Sequence, residues 1–242
     1  MNTRLYKHRA IIISGDRMIR LPFRDGFYEV KPSKIICLGR NYAEHAKELG
    51  HEIPKEPVIF LKPPSALIGP EETIILPRKS QRVDHEVELA VIIGKKGKNI
   101  PRAKAMDHVL GYTILMDLTA RDIQWEAKEK GLPWTVAKGF DTFGPIGPRV
   151  VDKRELDVND LEIGLKVNGE VRQLSRTSKM IFKIDEIIEY VSSIMTLEKG
   201  DIIATGTPEG VGPLRHGDFV EAWIEGIGVL KEKVLAERSI LC

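Results

Sequence analysis

Short apolar runs rich in β-branched residues recur along this chain, with glycine and proline standing between them. The 242 residues include 21 glycines and 14 prolines. Runs of about four to eight residues bounded by such breakers are typical of strands separated by turns. The pattern predicts a mainly β protein, class α+β, rather than a helical bundle. The predicted strands are residues 10–14, 34–38, 58–61, 73–76, 86–93, 109–116, 162–167, 201–205 and 219–224.

Three segments carry helical patterns instead. The first, residues 41–49, places Asn41 and Glu44 at the spacing of a capping box. The second, residues 119–130, begins at a threonine and stops before a Gly-x-Pro sequence. The third, residues 184–195, repeats apolar residues at the i, i+3, i+4, i+7 spacing of a helix packed on a core.

The chain divides unequally. Residues 1–32 are predicted to form a small N-terminal hairpin segment, and residues 33–242 the main domain. Within that domain, Asn168-Gly169 lies between two strand-like stretches. Asn-Gly is a strong indicator of a two-residue hairpin turn, because both positions tolerate positive φ.

Composition excludes several classes of protein. The net charge is only +2 with 30% charged residues, which argues against a nucleic-acid-binding protein. A hydrophobic content of 42% supports a folded core. No apolar run approaches the roughly 18 residues of a membrane helix, and the two cysteines, Cys37 and Cys242, form no metal or redox spacing. We therefore expect a cytoplasmic protein without nucleic-acid or membrane partners.

Two acids in one predicted strand are unusual. Residues alternate between the faces of a strand, so Glu86 and Glu88 share a face that turns apolar at Ala90 and Ile92. Buried carboxylates need a partner because desolvation of a charge is costly. A divalent cation, a Lys or Arg partner, or a solvent-facing edge strand would each satisfy them.

Asp117 ends a second strand-like run. It is either a turn or capping residue, or a third acid beside Glu86 and Glu88. In the second case, three carboxylates with no His or Cys favour Mg²⁺ or Mn²⁺, with Ca²⁺ also compatible.

Three further features carry possible chemistry. Lys138 follows an apolar, aromatic stretch and would balance the acids, unless it is a surface lysine. His45 and Glu48 are three residues apart, a spacing that suits either a general base oriented by a carboxylate or a solvated surface pair. Thr207 lies in a glycine-rich loop that either presents N–H and hydroxyl groups to a carboxylate or is an ordinary loop.

Together these segments resemble the fumarylacetoacetate hydrolase family, from about residue 33 onward. The resemblance implies a mixed β-sandwich roll of that family's C-terminal type, with a few peripheral helices and a lid helix. It also implies a homodimer that uses Mg²⁺ or Mn²⁺. Seven motifs in one order carry it: LGRNYAEH (38–45), PVIFLKP (57–63), HEVEL (85–89), MDLTARD (116–122), LPWTVAK (132–138), LKVNGE (165–170) and GDIIATGTP (200–208).

The resemblance also implies roles for individual residues. The metal ligands match Glu86, Glu88 and Asp117, the active-site lysine matches Lys138, and the dyad on the lid helix matches His45 and Glu48. Positions that contact substrate or support the dyad in relatives match Arg121, Gln124 and Thr207.

The resulting hypothesis is a metal-dependent enzyme that acts on 2-oxo or 2,4-dioxo acids through an enolate. C–C bond hydrolysis or decarboxylation, of the acylpyruvate hydrolase or oxaloacetate decarboxylase type, is the leading reaction, and aromatic catabolism the expected context. Isomerisation of a 2-hydroxy-dienedioate or tautomerisation of oxaloacetate is the alternative. A non-catalytic metal-binding β protein is a third reading. A phosphoryl-transfer enzyme would be expected to carry a phosphate loop, and the sequence contains no P-loop motif.

Overall fold

Two β-sheets form the centre of the structure, a computed structural model in which residues 18–48 and 53–237 are described. The strands are β1 (Arg20–Phe23), β2 (Gly26–Glu29), β3 (Ile35–Gly39), β4 (Val58–Lys62), β5 (Leu67–Ile68), β6 (Thr73–Leu76), β7 (Val83–His85), β8 (Val87–Ile93), β9 (Val109–Met116), β10 (Thr119–Ala120), β11 (Gly144–Asp152), β12 (Glu162–Val167), β13 (Glu170–Arg176), β14 (Ile202–Ala204), β15 (Gly212–Pro213), β16 (Phe219–Ile224) and β17 (Gly228–Ala236). The helices are α1 (Ala43–Glu48), α2 (Arg121–Glu129), α3 (Thr135–Lys138) and α4 (Ile184–Ile194), and short 3₁₀ segments span Pro64–Ala66, Arg102–His108 and Thr177–Lys179.

The larger sheet has seven strands in the order β4-β3-β14-β8-β9-β11-β5, and the second has five in the order β13-β12-β16-β17-β6. Most neighbours are antiparallel, but β3/β14, β5/β11 and β6/β17 pair in parallel. The sheets are therefore mixed, as predicted, and the class is α+β with strands dominant.

Strand β8 separates two hydrophobic cores. Val87, Leu89, Val91 and Ile93 belong to a cluster that includes residues of both large sheets. Ala90 and Ile92 belong to a second cluster on the opposite face. Because β8 lies between β14 and β9 and all of its residues are buried, the edge-strand interpretation of its acids is wrong.

Many predicted strand positions are confirmed. The bounds of β6, β9, β12 and β16 are those predicted, and α4 ends one residue earlier than expected. Asn168 and Gly169 have φ values of 52° and 81° and join β12 to β13, which confirms the hairpin. The strand predicted at residues 10–14 lies outside the described residues.

The predicted start of the first helix is wrong. Helix α1 begins at Ala43, and the Asn41 side chain is buried and bonded elsewhere. Its amide donates to the carbonyls of Phe182 and Thr205, and its oxygen accepts the N–H of Phe182. Asn41 therefore connects this segment to two distant loops, while Glu44 pairs with Lys47.

The second helix also starts later than predicted. Thr119 and Ala120 form β10, which pairs with β7, and α2 starts at Arg121. The Asp122 carboxylate accepts hydrogen bonds from Ser80 and the N–H of Gln81. Pairing with a neighbouring strand thus replaces the expected first turn of the helix.

The first described residues of the chain form a hairpin. Strands β1 and β2 pair antiparallel, and Leu21 and Val30 pack into the second core beside residues of the large sheet. A domain division at residue 32 stays a prediction. Cys37 is a buried free thiol, whereas Cys242 lies outside the described residues. Within the described ranges no helix has the length and apolar character needed to cross a bilayer.

Candidate active site and metal centre

The three predicted metal ligands come together where two neighbouring strands meet. Glu88 lies in β8 and Glu86 just before it, while Asp117 directly follows β9. Val87 pairs with Met116, and the N–H of Asp117 donates to the carbonyl of Glu86 at 2.8 Å. The sheet register therefore fixes the relative positions of all three acids.

The three carboxylates form a group able to hold a metal ion. Glu86, Glu88 and Asp117 each offer one oxygen, and these atoms lie within 4.8 Å of one another. All three residues are buried. Carboxylate oxygens are the donors that Mg²⁺, Mn²⁺ and Ca²⁺ prefer.

Two buried lysines contact this group. Lys138, at the end of α3, donates to Asp117 and, at 3.0 Å, to Glu86. Lys62, at the end of β4, donates to Asp117 at 2.7 Å and to the carbonyls of Leu118 and Lys138. The interpretation of Lys138 as a surface lysine is therefore wrong.

The positive and negative groups change one another's pKa. Burial alone would raise the pKa of Glu86, but Lys138 and Arg121 hold it well below its ordinary value. The pKa of Lys138 is raised, since Asp117 and Glu86 outweigh the effect of burial.

Glu88 differs from its neighbours. Burial raises its pKa well above the ordinary value, and the charges of Asp117 and Glu86 add to this. Among the described residues no Lys or Arg forms an ion pair with it, and its Oε2 atom accepts only the N–H of Gly206, at 2.8 Å. A buried carboxylate with so little compensation is destabilised unless a further cation binds.

Arg121 joins a fourth buried acid to the site. Its guanidinium donates to Asp84 at 2.8 Å, to Gln124 at 2.7 Å, and to Glu86. The site thus holds four buried carboxylates (Asp84, Glu86, Glu88, Asp117) and three buried cations (Lys62, Arg121, Lys138). These seven side chains together carry a net charge of −1. A divalent ion would bring the net charge to +1, and a bound monoanion would bring it to zero. The residues present therefore fit such an ion.

A pocket opens above the acids. Its wall includes Glu86, Glu88, Lys138 and the three residues predicted to contact substrate, Arg121, Gln124 and Thr207. All three of these are buried, and the hydroxyl oxygen of Thr207 lies 2.9 Å from Nε2 of Gln173. The structure therefore brings every predicted substrate contact to one cavity.

The predicted dyad lies on α1 at the pocket. His45 is buried and lines the cavity, and its Nδ1 atom lies 3.1 Å from Oε2 of Glu48. The N–H of Gly210 also donates to the Glu48 carboxylate, at 3.1 and 3.2 Å. The hydrogen bond from His45 is the main reason that the pKa of Glu48 is lowered. The His45 ring is therefore buried, whereas its partner Glu48 is exposed.

Two further cations lie in the pocket wall. Arg40 has a positive φ of 59°, and its Nε atom is buried with no hydrogen-bond partner among the described residues. The Lys128 ammonium lies 5.2 Å from the centre of the Trp134 ring, and burial lowers its pKa to about 8, with contributions from Arg121 and Arg40. Arg40, Lys128 and Trp134 all line the pocket.

Sequence reasoning assigned no role to Lys62, Asp84 or Gln173. The available indication for Lys62 was its position at the end of the apolar run 58–61. Such a run is expected to be buried, so the charge that follows it is expected to have a partner inside the protein. Asp84 stands beside the acids of the strand and carries a similar indication. Gln173 reaches the site from the other sheet, and no local pattern predicts that.

Comparisons with known proteins agree with this geometry. The model of the fumarylacetoacetate hydrolase C-terminal family matches residues 34–235. The chain is 77% identical to an uncharacterised protein of Pyrococcus abyssi, covering 93% of this chain and 100% of that one. It is 51% identical to a mitochondrial oxaloacetate tautomerase of Arabidopsis thaliana, over 92% and 96% of the two chains. It is 50% identical to a mitochondrial oxaloacetate decarboxylase of Dictyostelium discoideum, over 80% and 89%.

The fold is also similar to that of a solved structure. Fumarylpyruvate hydrolase from Pseudomonas aeruginosa, in complex with Mn²⁺ and pyruvate, superposes with a TM-score of 0.87 at 33% identity. The match covers 93% of this chain and 98% of that chain. With the family model spanning most of its length, this chain belongs to the fumarylacetoacetate hydrolase family.

Proposed function

We propose that this protein is a divalent-metal-dependent enzyme that converts 2-oxo acids through an enolate, with oxaloacetate as the leading substrate. The observation that carries the proposal is the buried group of Glu86, Glu88 and Asp117, of which Glu86 and Glu88 line a pocket. Lys138 contacts two of these acids, and no Lys or Arg of the described residues forms an ion pair with Glu88. Structural acids alone would not require an open pocket above them.

Glu86, Glu88 and Asp117 would hold the ion. When bound, a divalent ion supplies Lewis acidity, polarising the oxygens of a 2-oxo acid and offsetting the negative charge of its enolate. Lys138 places a second positive charge beside the same oxygens. Lys62 keeps Asp117 and the backbone of Lys138 in place through three hydrogen bonds.

The dyad moves the proton. The Glu48 carboxylate can only accept, so its hydrogen bond places a proton on Nδ1 of His45. Nε2 of the neutral ring is then free to take a proton from a substrate or a water. In tautomerisation, a proton leaves C3 and another adds to the 2-oxo oxygen. In decarboxylation the C3–C4 bond breaks, CO₂ leaves, and C3 takes up a proton.

The pocket wall favours a substrate with a second carboxylate. Arg40 and Lys128 add positive charge beyond the acids, and Trp134 supplies an apolar face. A 2-oxo dicarboxylate would place one carboxylate near the acid group and the other near these cations. The names of the relatives from Arabidopsis and Dictyostelium, an oxaloacetate tautomerase and an oxaloacetate decarboxylase, support the same substrate.

Hydrolysis of a C–C bond in an acylpyruvate is the second candidate. The oriented His45–Glu48 pair favours it, and so does the likeness to fumarylpyruvate hydrolase. In this reaction water adds to the distal carbonyl, the bond to C3 breaks, and C3 is protonated. His45→Ala should reduce both reactions but hydrolysis more, because water needs a base to attack whereas the C3 proton of such a substrate is already acidic; equal losses in both would mean that His45 serves only the proton at C3.

The test is a substrate panel on EDTA-stripped protein with Mg²⁺ or Mn²⁺ added back. Oxaloacetate, acetylpyruvate, fumarylpyruvate and a hydroxymuconate-type diene would be followed by absorbance and product analysis. We expect metal-dependent conversion of oxaloacetate, and products that separate tautomerisation, decarboxylation and hydrolysis. Ser175→Ala, a change on β13 away from the pocket wall, is the matched control. Absence of turnover with every substrate, together with no rise in Tm on adding oxalate, would favour a structural metal site.

Four further properties belong to this proposal. Mg²⁺ or Mn²⁺ is the expected ion. Binding of Ca²⁺ without turnover would distinguish Ca²⁺ from these two ions. A homodimer and a role in aromatic catabolism are what the family resemblance implies, and a cytoplasmic location is what the composition predicts. Light scattering on the purified protein tests the assembly directly.

A further inference from the structure

Gln173 is a buried side chain that reaches the candidate site from the other sheet. It lies on β13, the edge strand of the five-stranded sheet, and is fully buried. Its amide meets four groups. They are Nδ1 of His85 at 3.0 Å, the N–H of Val87 at 3.2 Å, Oγ1 of Thr207 at 2.9 Å and the carbonyl of Pro208 at 2.8 Å.

The direction of this amide is fixed at both ends. The backbone N–H of Val87 can only donate, so the atom facing it must be Oε1 of Gln173. The carbonyl of Pro208 can only accept, so the atom facing it must be Nε2. The two contacts agree on one orientation, and they decide how Gln173 meets Thr207.

In this orientation Nε2 of Gln173 donates to the hydroxyl oxygen of Thr207. A hydroxyl that receives a hydrogen bond on its oxygen keeps its own proton for another acceptor. None of the described residues accepts that proton, and Thr207 lies in the wall of the pocket beside Glu86 and Lys138. The hydroxyl is therefore set to donate into the cavity.

The loop that carries Thr207 is held close to β13. Gly210 has a φ of 90°, and a Cβ atom there would lie 2.1 Å from the carbonyl oxygen of Arg172. Gly206 has a φ of 93°, and a Cβ atom there would lie 2.8 Å from Cβ of Asn41. Because both ends of the loop are packed against backbone or a short side chain, Thr207 cannot shift to find another partner for its oxygen.

We propose that Gln173 is a positioning residue that makes Thr207 a hydrogen-bond donor, so that this part of the pocket selects an acceptor-only group such as a carboxylate. The inference rests on the proposed function, in which the substrate is a 2-oxo acid. A carboxylate has no proton to offer at neutral pH and suits a donor, whereas an amide or alcohol in the same place gains less.

The test is a double-mutant cycle on oxalate binding, measured by calorimetry with Mg²⁺-loaded protein. Thr207→Val removes the hydroxyl at nearly constant volume and should weaken oxalate binding by about tenfold, because the lost hydrogen bond is to a charged group. Gln173→Met should weaken binding about threefold or more in the wild-type background. In the Thr207→Val background it should add almost nothing, since its effect passes through the hydroxyl.

Two controls separate positioning from folding. Ser175→Ala alters a buried hydroxyl on the same strand and should leave the Kd for oxalate unchanged. Thr207→Ser keeps the hydroxyl and should bind oxalate within about twofold of the wild type. If Gln173→Met does not fold, the Ser and Val variants of Thr207 still decide whether a donor acts at this position.

The outcomes separate the two proposals. If the wild type binds oxalate and the effects of Gln173→Met and Thr207→Val simply add, Gln173 acts structurally and the inference is overturned while the proposed function stands. Wild-type affinity in Thr207→Val also overturns it. If the wild type does not bind oxalate in the presence of Mg²⁺, the proposed function itself fails.

Discussion

Strand β8 and strand β17 both turn glutamates toward the protein interior, with different surroundings. Beside Glu88 on β8 lie the buried carboxylates of Glu86 and Asp117, which pair with the buried cations Lys62, Arg121 and Lys138. Glu232 on β17 lies between the core residues Leu230 and Val234. Neither of its carboxylate oxygens has a hydrogen-bond partner among the described residues.

The difference separates a site from an isolated buried charge. Burial, with the charge of Glu72 added, raises the pKa of Glu232 to about 9, so at neutral pH this group is protonated in the folded protein. The acids near Glu88 instead lie beside buried cations and an open pocket. Burial of a carboxylate alone therefore does not indicate function, but burial of several beside cations and a cavity does.

The largest expected effect is on activity. Glu88→Gln keeps the size of the side chain and removes a negative ligand, so we expect metal-dependent turnover to fall by about a thousandfold. The rise in Tm on adding Mg²⁺ should also disappear. Glu232→Gln should keep both. A Glu88→Gln enzyme with normal turnover and a normal response to Mg²⁺ would contradict the ligand assignment.

The next effect concerns stability. Lys62→Met leaves Asp117 without one of its buried cations, and breaking a buried ion pair costs about 3 kcal/mol or more. The free energy of unfolding, measured in urea, should fall by that amount. Lys231→Met, which removes an exposed pair with Glu221, should cost less than about 1 kcal/mol. Equal losses in the two variants would show that Lys62 is not needed to compensate the acids.

The third effect depends on pH. The pKa of Glu232 is near 4.5 in the unfolded chain and about 9 in the folded protein, so the folded state binds one more proton between these values. The wild type should therefore lose stability relative to Glu232→Gln by about 1.4 kcal/mol for each pH unit in that interval. Urea unfolding of both proteins at pH 6, 7 and 8 measures the difference. Parallel curves would mean that Glu232 ionises freely in the folded protein.

The smallest effect is at Asp152, a buried acid whose cations lie at the surface. Arg24 and Arg154 both bond to it, and their side chains are 51% and 71% exposed. Arg154→Ala should cost less than about 1 kcal/mol, because exposed pairs contribute little and Arg24 remains. A loss near that of Lys62→Met would remove the distinction between buried and exposed partners.

The short apolar run predicted the strand that carries the acids, and the alternation of residues between its faces predicted that they share one face. The acids were conspicuous because both faces of β8 are buried, so Glu86 and Glu88 interrupt an otherwise apolar sequence. Strand β11 was not predicted, since Pro145, Gly147 and Pro148 within it are normally strand breakers. Strand β17 was missed because the run 231–233 is charged throughout, although its middle residue, Glu232, is buried.

The site could be predicted only in part, for a physical reason. Glu86, Glu88 and Asp117 stand within or directly beside strands that local sequence identifies. Asn41 and Gln173 instead bond to groups far along the chain, at Thr205 and Thr207. Such bonds depend on how the two sheets pack, which no local pattern contains.

The hydrogen bond from Gly210 to Glu48 couples the position of α1 to the orientation of His45. The same carboxylate that orients the imidazole of His45 also fastens α1 to the loop beyond Thr207. If α1 swings away, the imidazole loses its orientation at the moment when bulk water enters. Access to the pocket and reactivity of the imidazole are then mutually exclusive. An enolate forms only while α1 is in place and His45 is oriented by Glu48.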